Sequence, residues 1–213
     1  YIISACEASL QRLKRGYIDY YQLHSARMVH FEKESCEEAM EILKQQGKIR
    51  YWGLSLNTFH PAPEATYMMN NKVGDGFQLV YNIINQRALK LIQEANENEY
   101  GVIARMPLQF GLLTGKFSKA SNFTSDDHRS FRFNKEILEG ALKILEEKIW
   151  PLCNKYNISK TSLALSYILS YDAISTVIPG IRTVHHTIEN TRGITKLAPE
   201  DVAFIKDNFN TGF

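Results

Sequence analysis

The chain has 213 residues, a formal net charge of +2, 44% hydrophobic and 23% charged residues, enough for one substantial core and most simply one domain spanning 1–213. Nothing in this balance draws the chain to nucleic acid or to an anionic membrane, no apolar run approaches the roughly 18 residues of a membrane span, and no signal peptide is visible. Cys6, Cys36 and Cys153 stand far apart with no CxxC or Cys/His cluster, so neither a zinc site nor a disulfide framework is expected and a reducing, cytoplasmic setting fits.

The spacing of Ile2, Ile3, Cys6, Leu10 and Leu13 predicts a helix over 2–15, stopped by Gly16. Tyr1-Ile2-Ile3-Ser4 offers it no clear cap. A strand over 17–24 follows and ends on His24. Glu37, Glu38 and Glu41 mark the polar face of a helix over 34–46, with Gly47 as its C-cap. The run Lys48 to Ser55 reads as the second strand, and Pro61 and Pro63 open a short helix near 61–70.

The third strand covers 76–82, a helix covers 86–98, and Gly101 to Met106 forms the fourth strand. A long irregular segment over 107–133 carries glycines, serines and paired aspartates, and loops of that length are usually functional or disordered. A helix over 135–157, bent near Pro151, precedes a helix over 160–170, a strand over 173–178, and helices over 183–192 and 199–209. Strand and helix thus alternate about five times, which predicts α/β architecture with a parallel sheet and right-handed crossovers. Five parallel strands suit either an open doubly wound sheet or five-eighths of a barrel. The lack of a GxGxxG after any strand weakens the dinucleotide-binding open sheet.

His24 closes a strand, the end at which parallel α/β folds place their chemistry. The strand comes early, behind one helix, so the chain is expected to start part-way through a larger fold. Read from spacing alone, the bland account of His24 is a core histidine satisfied by backbone. At the other end, Gly180, Ile181 and Arg182 follow the last strand and precede a helix. Backbone N–H groups there and the helix dipole favour phosphate, and the Arg182 guanidinium offers a planar fork for it.

Five segments carry a more specific resemblance. They are Leu13 to His24, Gly47 to Ser55, Gln78 to Asn82, Pro107 to Lys116, and Val177 to Arg182 followed by Glu189-Asn190. In that order, each at a strand's C-terminal end, they resemble the C-terminal two-thirds of an aldo-keto reductase. The resemblance implies a (β/α)8 TIM barrel, incomplete here at about five of eight β/α units. It also implies reduction of small aldehydes or ketones by hydride transfer from NADPH, with no metal and no flavin. By the same resemblance, His24 is the catalytic histidine that orients the carbonyl. Ser55, Asn57 and Gln78 hold the nicotinamide carboxamide, although the family pattern Ser-Asn is here Ser55-Leu56-Asn57. Arg105 takes the place of an aromatic residue against the nicotinamide ring, which a guanidinium can also cover.

Pro107, Leu108, Gly111, Leu113, Gly115 and Lys116 correspond to the phosphate-binding run, where glycine leaves backbone free to approach. The stretch 123–130 resembles a loop that folds over the cofactor in one branch of the family. Gly180, Arg182, His186, Glu189 and Asn190 correspond to the adenosine end, and Arg182 favours NADPH over NADH. The family's catalytic Asp, Tyr and Lys belong to strands that should precede Tyr1, so residues 1–213 alone are expected to be inactive and poorly soluble. Two other readings stand beside the reductase. One is a non-catalytic NADPH-binding or regulatory member, like channel β-subunits, or an inactive remnant. The other is an unrelated barrel enzyme such as an isomerase that binds a sugar phosphate at Gly180.

Overall fold

A computed structural model describes residues 1–33, 35–118, 121, 123–127, 129–130, 132–133 and 135–209. Helix α1 (Ile2–Leu13) buries Cys6 and Leu10, and its Tyr1 N-cap makes no side-chain hydrogen bond. It ends earlier than Gly16 because Lys14 takes the left-handed conformation (φ 52°) and its N–H, with that of Arg15, returns to Gln11 and Leu10 carbonyls. Strand β1 (Ile18–His24) leads to a short helix, α2 (Met28–Lys33), that the hydrophobic pattern does not announce. Its first amide donates to Glu64 Oε1 at 3.2 Å, a partner 36 residues away. Helix α3 (Cys36–Gln45) buries Cys36, Met40 and Leu43 at helical spacing, and Gly47 follows it at φ +67°. Glu34, at the start of the expected helix, lies outside the described residues.

Strand β2 (Ile49–Ser55), helix α4 (Ala62–Asn71), strand β3 (Gly76–Val80), helix α5 (Leu89–Glu97) and strand β4 (Gly101–Arg105) continue the alternation. Within 107–133, expected to be irregular, residues Gln109–Thr114 form a 3-10 turn interrupted at Phe110 and Gly111. The expected bent helix over 135–157 is α6 (Lys135–Ile144), a π-turn over Leu145–Ile149, and α7 (Pro151–Tyr156). The irregularity precedes Pro151 because proline supplies no N–H and its ring crowds the carbonyl four residues back. Helix α8 (Lys160–Leu169), strand β5 (Thr176–Ile178), helix α9 (Val184–Thr191) and helix α10 (Pro199–Asn208) complete the chain. Strand β5 is shorter than the expected 173–178.

The strands lie in the order β1-β2-β3-β4-β5. β1 and β2 pair in parallel from Ile18 opposite Ile49 to His24 opposite Ser55, and β2 pairs in parallel with β3 through Ser55 opposite Gln78. Two compact units share the chain: residues 1–79 with 90–103, and residues 80–89 with 104–213. No described helix is long and apolar enough to cross a membrane.

In the first unit, β2 and β3 carry glycines where the Tyr20 ring crosses them. A Cβ on Gly53 would lie 1.9 Å from Tyr20 Oη and 2.1 Å from the Gly76 carbonyl oxygen. Burial of that phenol raises its pKa, and its hydroxyl has no hydrogen-bond partner among the described residues. Trp52 is fully buried and donates its indole N–H to Glu41 at 2.8 Å, so a glutamate of the expected polar face of α3 also serves the core.

In the second unit, α8 is buried from Thr161 to Ile168. Its polar groups are satisfied: Ser162 Oγ donates to the Arg192 carbonyl at 2.7 Å and Ser166 Oγ accepts from Thr195 N–H at 3.1 Å. The buried Asp201 fastens α10 to α7, accepting from Lys155 Nζ at 2.6 Å and from the Tyr156 hydroxyl. The same hydroxyl accepts from the Ala198 amide at 2.9 Å.

Candidate functional site

The first unit gathers a polar row at the C-terminal ends of β1, β2 and β3. His24 is opposite Ser55, and Ser55 is opposite Gln78. Side chains two residues apart on a strand share a face, which puts Gln22 with His24. Gln78 Nε2 donates to Gln22 Oε1 at 3.2 Å, and the Ser55 hydroxyl donates to Gln78 Oε1 at 3.5 Å. Ser55 is buried and His24 exposed, so the imidazole is accessible beside an ordered amide–hydroxyl chain. Gln22 is absent from the expected site, although the alternation back from His24 marks it.

Asn57 is engaged in its own loop. Its Oδ1 accepts from the amides of Phe59 and His60 at 2.9 and 3.0 Å, and no hydrogen bond joins it to Ser55 or Gln78. The extra Leu56, fully buried, separates it from the strand end.

The second unit contains a cavity of about 790 Å³. Its floor is the turn after β4. Asn82, fully buried, braces that turn: its Nδ2 donates to the Met106 carbonyl and to Gln109 Oε1, both at 2.9 Å, while its Oδ1 accepts from the amides of Ile84 and Asn85. Gly111 has φ +96°, which a side chain would strain, and Phe117 packs 3.5 Å from where its Cβ would stand. Pro107, Leu108, Gly111 and Lys116 line the cavity. Leu113 and Gly115 do not: Leu113 is buried in the core, and Gly115 lies against Lys160. Arg105, half-buried at the end of β4, has its guanidinium pKa lowered by burial and donates to Met106 sulfur at 3.7 Å. It also lies outside the lining.

One wall includes described residues of 117–133, part of which (123–130) is expected by resemblance to fold over the cofactor. Phe117, Phe123 and Phe133 pack together with ring centroids 5.2 to 6.2 Å apart. The Arg129 guanidinium covers the Phe123 ring at 4.8 Å and is held by both Asp127 oxygens, which raise its pKa. A hydrogen bond from Thr124 lowers the pKa of the Asp126 carboxyl. Thr124, Asp126, Asp127 and Arg129 all line the cavity. His128 lies outside the described residues.

The far wall is the start of α9. Thr183 caps the helix, its Oγ1 accepting from His186 N–H at 3.2 Å. Gly180, Arg182, His186, Glu189 and Asn190 line the cavity, and Asn190 Nδ2 donates to the Gly180 carbonyl at 3.3 Å. The expected adenosine-end residues are therefore brought together in one place. Chemically, the cavity offers a glycine turn, a helix N-terminus and three cations (Lys116, Arg129, Arg182) beside three carboxylates (Asp126, Asp127, Glu189), so a ligand with both anionic and hydrogen-bond-donating groups finds partners in it. Among the described residues no group of three or more His, Cys, Asp or Glu could hold a metal ion.

The Aldo/keto reductase family model matches residues 1–208. The chain is 29% identical over 210 residues to the uncharacterized oxidoreductase YqkF of Bacillus subtilis (strain 168), covering 98% of this chain and 65% of that protein. It is 25% identical over 220 residues to a probable voltage-gated potassium channel subunit beta of Oryza sativa subsp. japonica, covering 95% of this chain and 65% of that protein. Among solved structures, the holo form of aldo-keto reductase AKR11C1 from Bacillus halodurans superposes with a TM-score of 0.78 at 26% identity, over 98% of this chain and 66% of that one. The chain thus spans a little under two thirds of the length of these proteins. The fold is an incomplete (β/α) barrel of the aldo-keto reductase type.

Proposed function

Since the chain belongs to the aldo/keto reductase family, whose members are oxidoreductases, we propose that its protein reduces small aldehydes or ketones to alcohols with NADPH. The observation that carries this reading is the cavity. It joins the Gly111 turn to the Arg182 end of α9 within one volume of about 790 Å³, inside the range of small-molecule and cofactor sites. When bound, the nicotinamide supplies hydride to the carbonyl carbon. The chain's own residues bind, orient and stabilise. Main chain over 107–116 with Lys116 meets the pyrophosphate, and Arg182, His186, Glu189 and Asn190 meet the adenosine portion.

Negative charge grows on the carbonyl oxygen as hydride arrives, and a preorganised donor there lowers the barrier. His24 is that donor, and the Ser55–Gln78–Gln22 chain fixes amide groups for the nicotinamide carboxamide. Arg105 is assigned to the ring, and Asn57 to its neighbourhood only if its own loop turn opens. By the resemblance, the proton for the alkoxide is the task of the family's catalytic Tyr, which no Tyr of residues 1–213 matches in context, so this reading assigns no proton donor among them. By this reading residues 1–213 form part of one barrel domain of a cytoplasmic enzyme and do not turn over alone.

The test is equilibrium titration of the protein at its natural full length with NADPH, NADH and a sugar phosphate. NADPH binding is expected, weakened about 10- to 100-fold by Arg182→Ala through loss of one charge-assisted phosphate contact. Sugar-phosphate binding without nucleotide binding would replace the reading by that of a barrel isomerase. The likeness to a protein named as a channel subunit favours a second reading, a non-catalytic nucleotide-binding member. NADPH binding with no oxidation by any aldehyde would select it.

A further inference from the structure

The only fixed charge on the rim beside His24 is a cation. Residues 24–31, which close β1 and run into α2, and residues 55–63, which follow the end of β2, contain Arg27 and three imidazoles and no Asp or Glu. The two segments meet, because the Ser25 amide donates to the Ser55 carbonyl at 3.1 Å. The carboxylates that come next in each segment are engaged elsewhere. Glu64 Oε1 accepts from the Met28 amide at 3.2 Å. Glu32 acts on Tyr67 of α4, whose pKa a hydrogen bond with Glu37 raises and Glu32 raises further.

Arg27 is exposed, and among the described residues no carboxylate pairs with it. Arg50 and Arg129, by contrast, are paired with Asp19 and Asp127. The backbone under Arg27 is nonetheless fixed. Ser25 takes the left-handed conformation (φ 54°), the Arg27 amide donates to His30 Nδ1 at 2.8 Å, and the bond from Met28 to Glu64 follows directly. On the β2 side, Asn57 Oδ1 holds the amides of Phe59 and His60. Three residues of chain span at most about 10 Å, so the Arg27 guanidinium can reach a group a few atoms from a carbonyl held at His24. A guanidinium suits carboxylate and phosphate alike, because both match its planar fork.

We propose that Arg27 selects the substrate: the protein prefers aldehydes that carry an anionic group, carboxylate or phosphate, a few atoms from the carbonyl. This rests on the carbonyl-reduction reading above. The contact is made equally before and during hydride transfer, so it acts on KM rather than on kcat.

The experiment measures NADPH oxidation by the protein at its natural full length with para-formylbenzoate, para-formylphenyl phosphate and the neutral para-formylbenzamide. Wild type, Arg27→Gln and Arg27→Lys are compared, and thermal melts establish that each is folded. In wild type, kcat/KM is expected to be about five- to tenfold higher for at least one anion than for the amide, the size of one partly exposed charge contact, and the two anions tell carboxylate from phosphate. The preference is expected to shrink at high salt, to vanish in Arg27→Gln through KM, and to survive in part in Arg27→Lys. Equal kcat/KM for all three aldehydes in wild type, or an anion preference that Arg27→Gln retains, overturns the proposal and leaves carbonyl reduction intact. NADPH that binds but is oxidised by none of the three, nor by other small aldehydes, overturns the reductase reading, and this proposal with it.

Discussion

Gly53→Ala is a demanding test of how the polar row is supported, because the added methyl has two obstacles of different kinds. It would stand 1.9 Å from Tyr20 Oη and 2.8 Å from Tyr20 Cζ, and 2.1 Å from the backbone carbonyl oxygen of Gly76. The ring can turn only by leaving its place over both glycines, and the carbonyl belongs to the neighbouring strand. Overpacking of this kind costs about 1–3 kcal/mol when flexible atoms yield, and backbone displacement puts this case at the upper end. Replacing glycine returns about 0.5 kcal/mol through the unfolded chain. The net loss is then roughly 2–3 kcal/mol, or a fall in Tm of about 5–10 °C for a chain of this size. Urea unfolding and thermal melting both read it. Adding Tyr20→Phe removes the contact at 1.9 Å but not that with Gly76, so the double variant is expected to recover only part of the loss. A Gly53→Ala protein within 0.5 kcal/mol of wild type would refute the packing described for β1, β2 and β3.

Tyr20→Phe alone removes a buried hydroxyl with no partner and is expected to leave stability unchanged or raise it by about 1 kcal/mol; a clear loss on denaturation would show that the hydroxyl is satisfied. Asp201→Asn is expected to cost about 2 kcal/mol by weakening the bonds from Lys155 and Tyr156. Burial raises the Asp201 pKa, but those hydrogen bonds outweigh it and hold the carboxyl below the ordinary 3.8. Its stabilisation is therefore present above about pH 4 and lost as pH falls through the depressed value, and the variant's acid unfolding curve is expected to lack that component. Asn82→Ala leaves four hydrogen-bonding groups of the 82–85 and 106–109 turns without their partner. It is expected to weaken NADPH binding about tenfold beyond its effect on stability, which fluorescence titration at a temperature well below Tm separates. Phe123→Ala removes the ring that packs on Phe117 and under Arg129 of the cavity lining and is expected to raise the NADPH dissociation rate severalfold in stopped-flow displacement, with the association rate changing less.

The alternation of strands and helices is legible in the sequence because each element carries its own period. Cys36, Met40 and Leu43 repeat at helical spacing, and β1 and β2 end where polar residues interrupt β-rich runs. What escapes is held by distant partners. The first amide of helix α2 donates to Glu64, 36 residues away, and β5 is only three residues long. The site divides in the same way. His24, Ser55 and Gln78 stand at strand ends and Arg182 just precedes a helix, but only the family resemblance gives the first three their expected roles, since spacing alone reads His24 as a core histidine. Asn82 and Arg129 act through a buried brace and an aromatic cluster whose members converge only after folding. Leu113 and Gly115 share the phosphate-run segment with Gly111 but turn away from the cavity, because the 3-10 turn directs neighbouring residues to different sides.

Carbonyl reduction is tested most directly by following nicotinamide absorbance while the protein, at its natural full length, is mixed with NADPH and a panel of small aldehydes. The account predicts aldehyde-dependent oxidation of NADPH, and a kcat about 100-fold or more lower in His24→Ala, the scale of losing one donor to a developing oxyanion. NADPH that binds but is oxidised by no aldehyde, or a His24→Ala protein as fast as wild type, would contradict it.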